Sequence, residues 1–253
     1  LADKGVKVFD LSADYRINDA AIYEEAYKLK HLHKDWLTKA VYGLAEIFTD
    51  NIKSAELVAV PGCYPTSILI PLIPLLRADL IDHTRLIADS KSGVSGAGKK
   101  ATMTTHFCEA NEDFKPYGIM THRHRPEIDN IIGRASGKRT HICFTPHLVP
   151  MNRGMISTIY STTKASKAEL LAAWHKAYDD KPFVRIREDG SIPSVKYVAN
   201  TPYVDIALYT EETEYGTQVI IVSALDNLLK GASSQAMQCF NIRMGFDEGA
   251  GLR

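Results

Sequence analysis

Three stretches of the chain carry side chains able to do covalent or acid–base chemistry. In VPGCYPTS, Cys63 stands where a β-like run, Leu57 to Val60, gives way to a long apolar segment. The first N–H groups of a helix lack internal partners and carry the positive end of its dipole, so a thiol just ahead of them is favoured as thiolate. Pro65 suits a first helical turn, and Gly62 allows a tight strand-to-helix corner. The plain alternative is an ordinary buried cysteine, the commoner outcome for a single Cys. In YGIMTHRHRPEI, His122 and His124 alternate with Arg123 and Arg125. Histidine shuttles protons near neutral pH, and a cysteine nucleophile commonly needs such a partner. A His-x-His pair also suits a metal, but no nearby carboxylate or cysteine completes a ligand set, so no metal is expected. In DSKSGVSGAGKK, Gly93 to Lys99 has the phosphate-loop spacing GxxxxGK, but Lys100 stands where that motif needs Ser or Thr for Mg²⁺. Nucleotide hydrolysis is disfavoured. An anion-approaching Gly-rich loop and a simple flexible turn both stay open.

The elements that must hold these residues follow from periodicity and punctuation. Strands are expected at Val6–Leu11, Glu56–Val60, Arg85–Asp89, His141–His147, Met155–Thr162, Phe183–Arg187, Ser194–Val198, Val204–Thr210 and Thr217–Ser223. Several alternate apolar and polar residues, as YVDIALYT does, which suits half-buried strands of an antiparallel or mixed sheet. Helices are expected at roughly Lys99–Asn111, Pro126–Ala135, Ala165–Tyr178 and Asn227–Met244, with helix and loop mixed over 20–45. Ser166 with Glu169 makes a capping box, and Asp226 is a natural N-cap for the last helix. The pattern is an α+β body with one helical return at the end.

Composition narrows the function. The 253 residues hold 30 Lys and Arg against 30 Asp and Glu, so no bulk charge recruits nucleic acid or an anionic membrane. The four cysteines, 63, 108, 143 and 239, are widely spaced without a CxxC pair, which suits free thiols in a reducing compartment. The apolar run TSILIPLIPLL carries two prolines and is too short to span a bilayer, and the start shows no signal peptide; a cytoplasmic protein is expected. The sequence opens without Met and enters a strand almost at once, so an N-terminally truncated fragment is expected.

VPGCYPTS, SGVSGAGKK, YGIMTHRHRPEI, FTPHLVPMNRG and DNLLKGASSQAMQ, with VFDLSADYRIND and VYGLAE near the start, occur in an order that closely resembles the N-acetyl-gamma-glutamyl-phosphate reductases of arginine biosynthesis. The likeness runs through nearly the whole chain. It departs from the family at the front, where a full-length member carries a Gly-rich strand-turn-helix for the NADP pyrophosphate. The resemblance implies an α/β protein. Residues 1–60 would be the closing part of a Rossmann NADP-binding domain. Residues 61–225 would form a glyceraldehyde-3-phosphate dehydrogenase-like catalytic and dimerisation domain with a mixed or antiparallel sheet, and 226–253 a helix returning to the first domain.

It also implies a reaction. Cys63 thiolate attacks the acyl phosphate, phosphate leaves, and NADPH reduces the resulting thioester to N-acetylglutamate semialdehyde. The general acid/base matches His122, with His124 the second choice and a substrate contact. Arg16 and Arg123 are candidates for gripping phosphate or carboxylate. Ser95, Gly96, Gly98 and Asn227 would face the cofactor. The partners implied are a small-molecule acyl phosphate and further copies of the chain, as dimer or tetramer. An aspartate-semialdehyde dehydrogenase-type reductase and a cysteine acyltransferase or hydrolase working without nicotinamide are the alternatives.

Overall fold

The structure is a computed structural model that describes residues 1–98 and 100–252; Lys99, the end of the phosphate-loop spacing, lies outside the described residues. A small parallel sheet runs in the order β1-β3-β2, from β1 (Val8–Asp10), β2 (Val41–Tyr42) and β3 (Leu57–Ala59). Its central strand reads Leu-Val-Ala without alternation and is buried throughout, as a strand covered on both faces must be. A larger sheet is built from β4 (Ile87–Gly93), β5 (Lys115–Pro116), β6 (Cys143–Val149), β7 (Met155–Thr163), β8 (Val184–Ile186), β9 (Val204–Thr213) and β10 (Gly216–Leu225). Its order is β5-β6-β4-β7-β10-β9-β8. The pairs β4–β6 and β8–β9 are parallel and the other four are antiparallel, so the expected mixed sheet is present.

The helix Cys63–Arg77 lies at the centre, with every residue from Tyr64 to Leu76 buried. A helix apolar on all sides belongs in a core, and this one packs against helices His124–Ser136 and Lys167–Tyr178 and against β7 and β10. Two internal prolines would leave carbonyls without donors. The Tyr178 hydroxyl bonds the Ile70 carbonyl, left without a donor because Pro74 has no N–H, and the Trp174 indole N–H adds a 2.8 Å bond to the Pro71 carbonyl that ties the two helices. On the sheet side, Ser67, Ser157 and Ser90 form a buried hydroxyl chain with 2.7 Å steps, fixing the helix to β7 and β4. The opposite face of the sheet is open: Ile87, Tyr160, Ile220 and Tyr209 align in one row across β4, β7, β10 and β9, each more than a third exposed.

The expected capping box of helix Lys167–Tyr178 is formed, Ser166 N–H donating to Glu169 at 2.8 Å. Asp226 accepts from the amides of Leu228 and Leu229 at 2.9 and 3.0 Å. The single helix expected over 227–244 is instead a π turn, Leu229–Ser233, followed by an α-helix, Ser234–Met244. That helix returns to the small sheet: Gln235 and Cys239 donate to the Gly43 carbonyl at 2.8 and 3.1 Å, and Arg243 to the Ala55 carbonyl at 2.6 Å.

Two further expectations are corrected. Residues 194–198 are not a strand but a helical turn, Val195–Val198, in which Ala199 N–H bonds the Val195 carbonyl, so the turn is closed on itself. The helix expected over 99–111 shrinks to short turns at Met103–Thr105 and Phe107–Ala110. The hydroxyls of Thr102, Thr104 and Thr105 bond one another and the nearby backbone, offering the chain an alternative to a helix.

Candidate active site

Cys63 is the first residue of its helix and Gly62 its N-cap. The Gly62 backbone, φ −70° and ψ 158°, is open to any residue, so its tight corner does not need glycine. What needs glycine is space. A Cβ built on Gly62 would stand 2.5 Å from Nε2 of His124 and 3.0 Å from Nη1 of Arg16. From the other side, a Cβ on Gly231 would stand 2.6 Å from the Cβ of Cys63. The π turn presents Gly231 there, a wide turn of the kind often found at functional sites.

Behind Gly62 lies Glu127, fully buried. Its Oε1 accepts from the Gly62 amide at 3.1 Å and the Tyr42 hydroxyl at 2.7 Å, and its Oε2 meets Nη1 of Arg16 at 3.5 Å. Arg16 is also buried, and its other nitrogens donate to the Val60 and Leu11 carbonyls at 2.7 and 2.9 Å. Burial opposes its charge, but Glu127 and nearby groups outweigh that and hold it protonated. Arg16 therefore braces the corner at Cys63, its guanidinium bonded to Glu127 and to the Val60 and Leu11 carbonyls.

The two histidines differ. His122 sits in an aromatic box, with ring centroids 5.7 Å from Tyr64, 5.4 Å from Tyr117 and 5.4 Å from Phe144. Its Nδ1 accepts from the His124 amide at 3.1 Å, which places the proton of the neutral ring on Nε2. His124 lies against Gly62 and Arg16, and its Nδ1 is buried without a hydrogen-bond partner. Burial and the Arg123 charge push His122 down to about 4. Burial, His122 and the two arginines hold His124 well below the usual histidine range. Both rings are neutral at physiological pH.

The thiol departs from expectation. Although Cys63 keeps part of its surface, burial pushes it up to about 11; the Tyr64 amide and Arg16 pull downward, and Glu127 adds to the rise. The helix terminus is in place, but desolvation of the charged form outweighs it, so the resting group is a neutral thiol and not the expected thiolate.

The Gly-rich loop and the C-terminal turn meet. Asn227 accepts from the Gly154 amide at 2.6 Å and donates to Ser95 Oγ at 3.1 Å. A Cβ on Gly96 would stand 2.6 Å from Ser92 Oγ, so this loop can close only with glycine there. Asn227 thus braces the loop, while Gly96 and Gly98 are exposed. An exposed glycine surface beside Ser95 fits a polar ligand such as a nicotinamide nucleotide. Arg123, the N-cap of helix His124–Ser136, is exposed and has no ion pair among the described residues. Glu127, Tyr42 and Gly231 were not singled out from sequence. Only the Pro-Glu pair at 126–127 offered a signal, and it reads as a helix start.

Residues 63–227 match the family described as semialdehyde dehydrogenase, dimerisation domain. The chain is 47% identical over 249 residues to the N-acetyl-gamma-glutamyl-phosphate reductase of Desulforapulum autotrophicum, covering 98% of the chain and 71% of the relative. It is 49% identical over 251 residues to that of Geobacter metallireducens, covering 98% and 72%, and 47% identical over 255 residues to that of Geobacillus thermodenitrificans, covering 100% and 73%. Among solved structures, aspartate semialdehyde dehydrogenase II from Vibrio cholerae superposes with a TM-score of 0.71 at 16% identity, covering 96% of this chain and 74% of the other, a likeness of fold.

Proposed function

The chain belongs to the N-acetyl-gamma-glutamyl-phosphate reductases, and from that premise we propose that Cys63 is its nucleophile and the His122–His124 pair its proton machinery. The protein is an oxidoreductase of arginine biosynthesis that acts on an acyl phosphate with a nicotinamide cofactor. The observation that carries the reading of the site is the meeting of Cys63, His124, Arg16 and Glu127 around Gly62, from three stretches far apart in sequence.

Cys63 Sγ bonds to the acyl carbon, the carbon–oxygen bond to phosphate breaks, and phosphate leaves with the electron pair. A bound nicotinamide would supply hydride to the thioester carbonyl carbon. Sγ then departs as thiolate and the aldehyde is released. With the thiol near 11 and His122 near 4, transfer of the thiol proton to that histidine is unfavourable in the resting chain. Proton loss is therefore coupled to substrate arrival. As the carbon–sulfur bond forms, the acidified thiol proton passes to the His122–His124 pair, and His122, with its proton on Nε2, donates to developing oxygen charge. Arg123, exposed and unpaired among the described residues, takes the substrate's anionic group.

Ser95, Gly96 and Gly98, braced by Asn227, form the cofactor side, and NADPH is the form proposed. Residues 1–60 with the helix from 226 form the dinucleotide-binding part, and 61–225 the catalytic part; the return of helix Ser234–Met244 to the small sheet supports this division. A second copy covers the open face of the large sheet, whose apolar row suits a two-fold interface. No helix among the described residues is long and apolar enough to cross a membrane; the cytoplasm is the proposed compartment, with four free cysteines in support.

The test is nicotinamide absorbance in the presence of N-acetyl-glutamyl phosphate, with NADPH and NADH in parallel and Cys63→Ser as control. Loss of absorbance that needs Cys63 supports the reading. Acyl phosphate turnover without it would point to a hydrolase or acyltransferase.

A further inference from the structure

Three sequence-distant residues converge on one carboxylate. Arg16, Tyr42 and the Gly62 amide all direct hydrogen-bond donors at Glu127, in a region where none of the three side chains keeps more than a small exposed surface. Such a carboxylate is costly to bury, and truncating one partner of a buried pair leaves the other uncompensated. A mere anchor for the Gly62 amide could be neutral, as an Asn or Gln oxygen is. A full negative charge needs a further reason.

We infer that Glu127 is a positioning residue that both pins the amide preceding Cys63 and cancels the Arg16 charge, adding to the burial that keeps the nucleophile a protected thiol. Arg16 has its guanidinium beside both Glu127 and the Gly62 corner. Alone, it would stabilise a thiolate at position 63; paired, it does so only in part. The other groups facing this thiol leave that balance to the pair. Tyr64 on its own helix and Tyr117 are held neutral by burial, and His122 and His124 are neutral as well. Tyr42, on β2, is also neutral. Arg16 and Glu127 are thus the opposed charges acting on the sulfur. A protected thiol escapes oxidation and alkylation between turnovers.

The inference rests on the reading of Cys63 as nucleophile, but its test reads the thiol and not turnover, so the two fail separately. Iodoacetamide labelling of the Cys63 peptide is followed by mass spectrometry against pH, which separates it from exposed Cys108 and Cys143. In Glu127→Gln the oxygen still accepts from Gly62 and Tyr42, yet the charge is gone. The labelling midpoint should fall by about one pH unit, making labelling at neutral pH several-fold faster. Glu127→Asp keeps the charge and should hold the midpoint near that of the parent. Should Glu127→Gln fail to fold, Arg16→Met reads the same couple from the other side and should raise the midpoint. A midpoint unmoved by Glu127→Gln, or by Arg16→Met in its place, overturns the inference, as does an equal fall in Glu127→Gln and Glu127→Asp.

Discussion

Gly62 and His124 touch with no room for a methyl group between them: a Cβ on the glycine would stand 2.5 Å from Nε2 of the histidine. Gly62→Ala must push the ring or Arg16 aside. Overpacking of this kind costs about 1–3 kcal/mol. Turnover should fall much more than that loss of stability suggests, because the displaced ring belongs to the proposed proton machinery; roughly 10²–10⁴-fold is the range for removing an acid–base group. Denaturant unfolding and steady-state kinetics on one preparation check both parts.

Gly231→Ala tests the opposite wall. Its Cβ would stand 2.6 Å from that of Cys63, and the π turn has little slack because Asp226 fixes its start. The variant should label more slowly or more quickly at Cys63 than the parent while Cys108 and Cys143 label unchanged. Peptide-resolved alkylation measures this, and parental behaviour at Cys63 would show that the π turn does not set the sulfur's position.

Acid should destabilise the fold before the carboxylates titrate. His122 and His124 are held neutral by burial, so their folded-state pKa values lie below the unfolded value, and the unfolded chain binds more protons. Stability is then lost as pH falls from about 6.5 towards 4. His175, raised by Asp179 and Glu188, acts in the opposite sense, but it is largely solvent-screened. Urea midpoints between pH 7 and 5 should fall, and His122→Phe should flatten the slope.

The link between the C-terminal turn and the small sheet depends on Lys230 and Glu46, an ion pair with no exposed surface, shared with Gln238. Lys230→Met strands the Glu46 charge and should cost about 3–5 kcal/mol, while Lys230→Met with Glu46→Leu should recover much of it. Thermal or urea unfolding of the two variants beside the parent decides, and equal losses in single and double variants would mean that the pair is not coupled.

On the large sheet, Tyr160→Lys places a charge inside the open row, one strand from its β4 end and two from its β9 end. The proposed pairing with a second copy should weaken, seen as a smaller species by sedimentation velocity, with the parental unfolding midpoint nearly kept.

Much of this arrangement was legible in the residues. The alternation of YVDIALYT made β9 legible as a strand, although Val204 to Leu208 are buried on both faces and not half-buried as expected. The cap at Ser166 was legible because its chemistry is local. What failed needed the third dimension. Residues 102–105 look helical until their hydroxyls find one another. The thiolate argument at Cys63 was local too, resting on the helix terminus, and was overturned by desolvation from Gly231 and the surrounding core, which no neighbour in sequence reports. Glu127 was invisible for the same reason: its three partners come from residues 16, 42 and 62.

The most direct measurement of the central claim is the intact mass of the chain after exposure to N-acetyl-glutamyl phosphate with no nicotinamide present. A covalent acyl adduct should form, be released by hydroxylamine as a thioester is, and map to the Cys63 peptide, with none in Cys63→Ser. An adduct on Cys108 or Cys143, or an unmodified chain that still consumes the acyl phosphate, would contradict it.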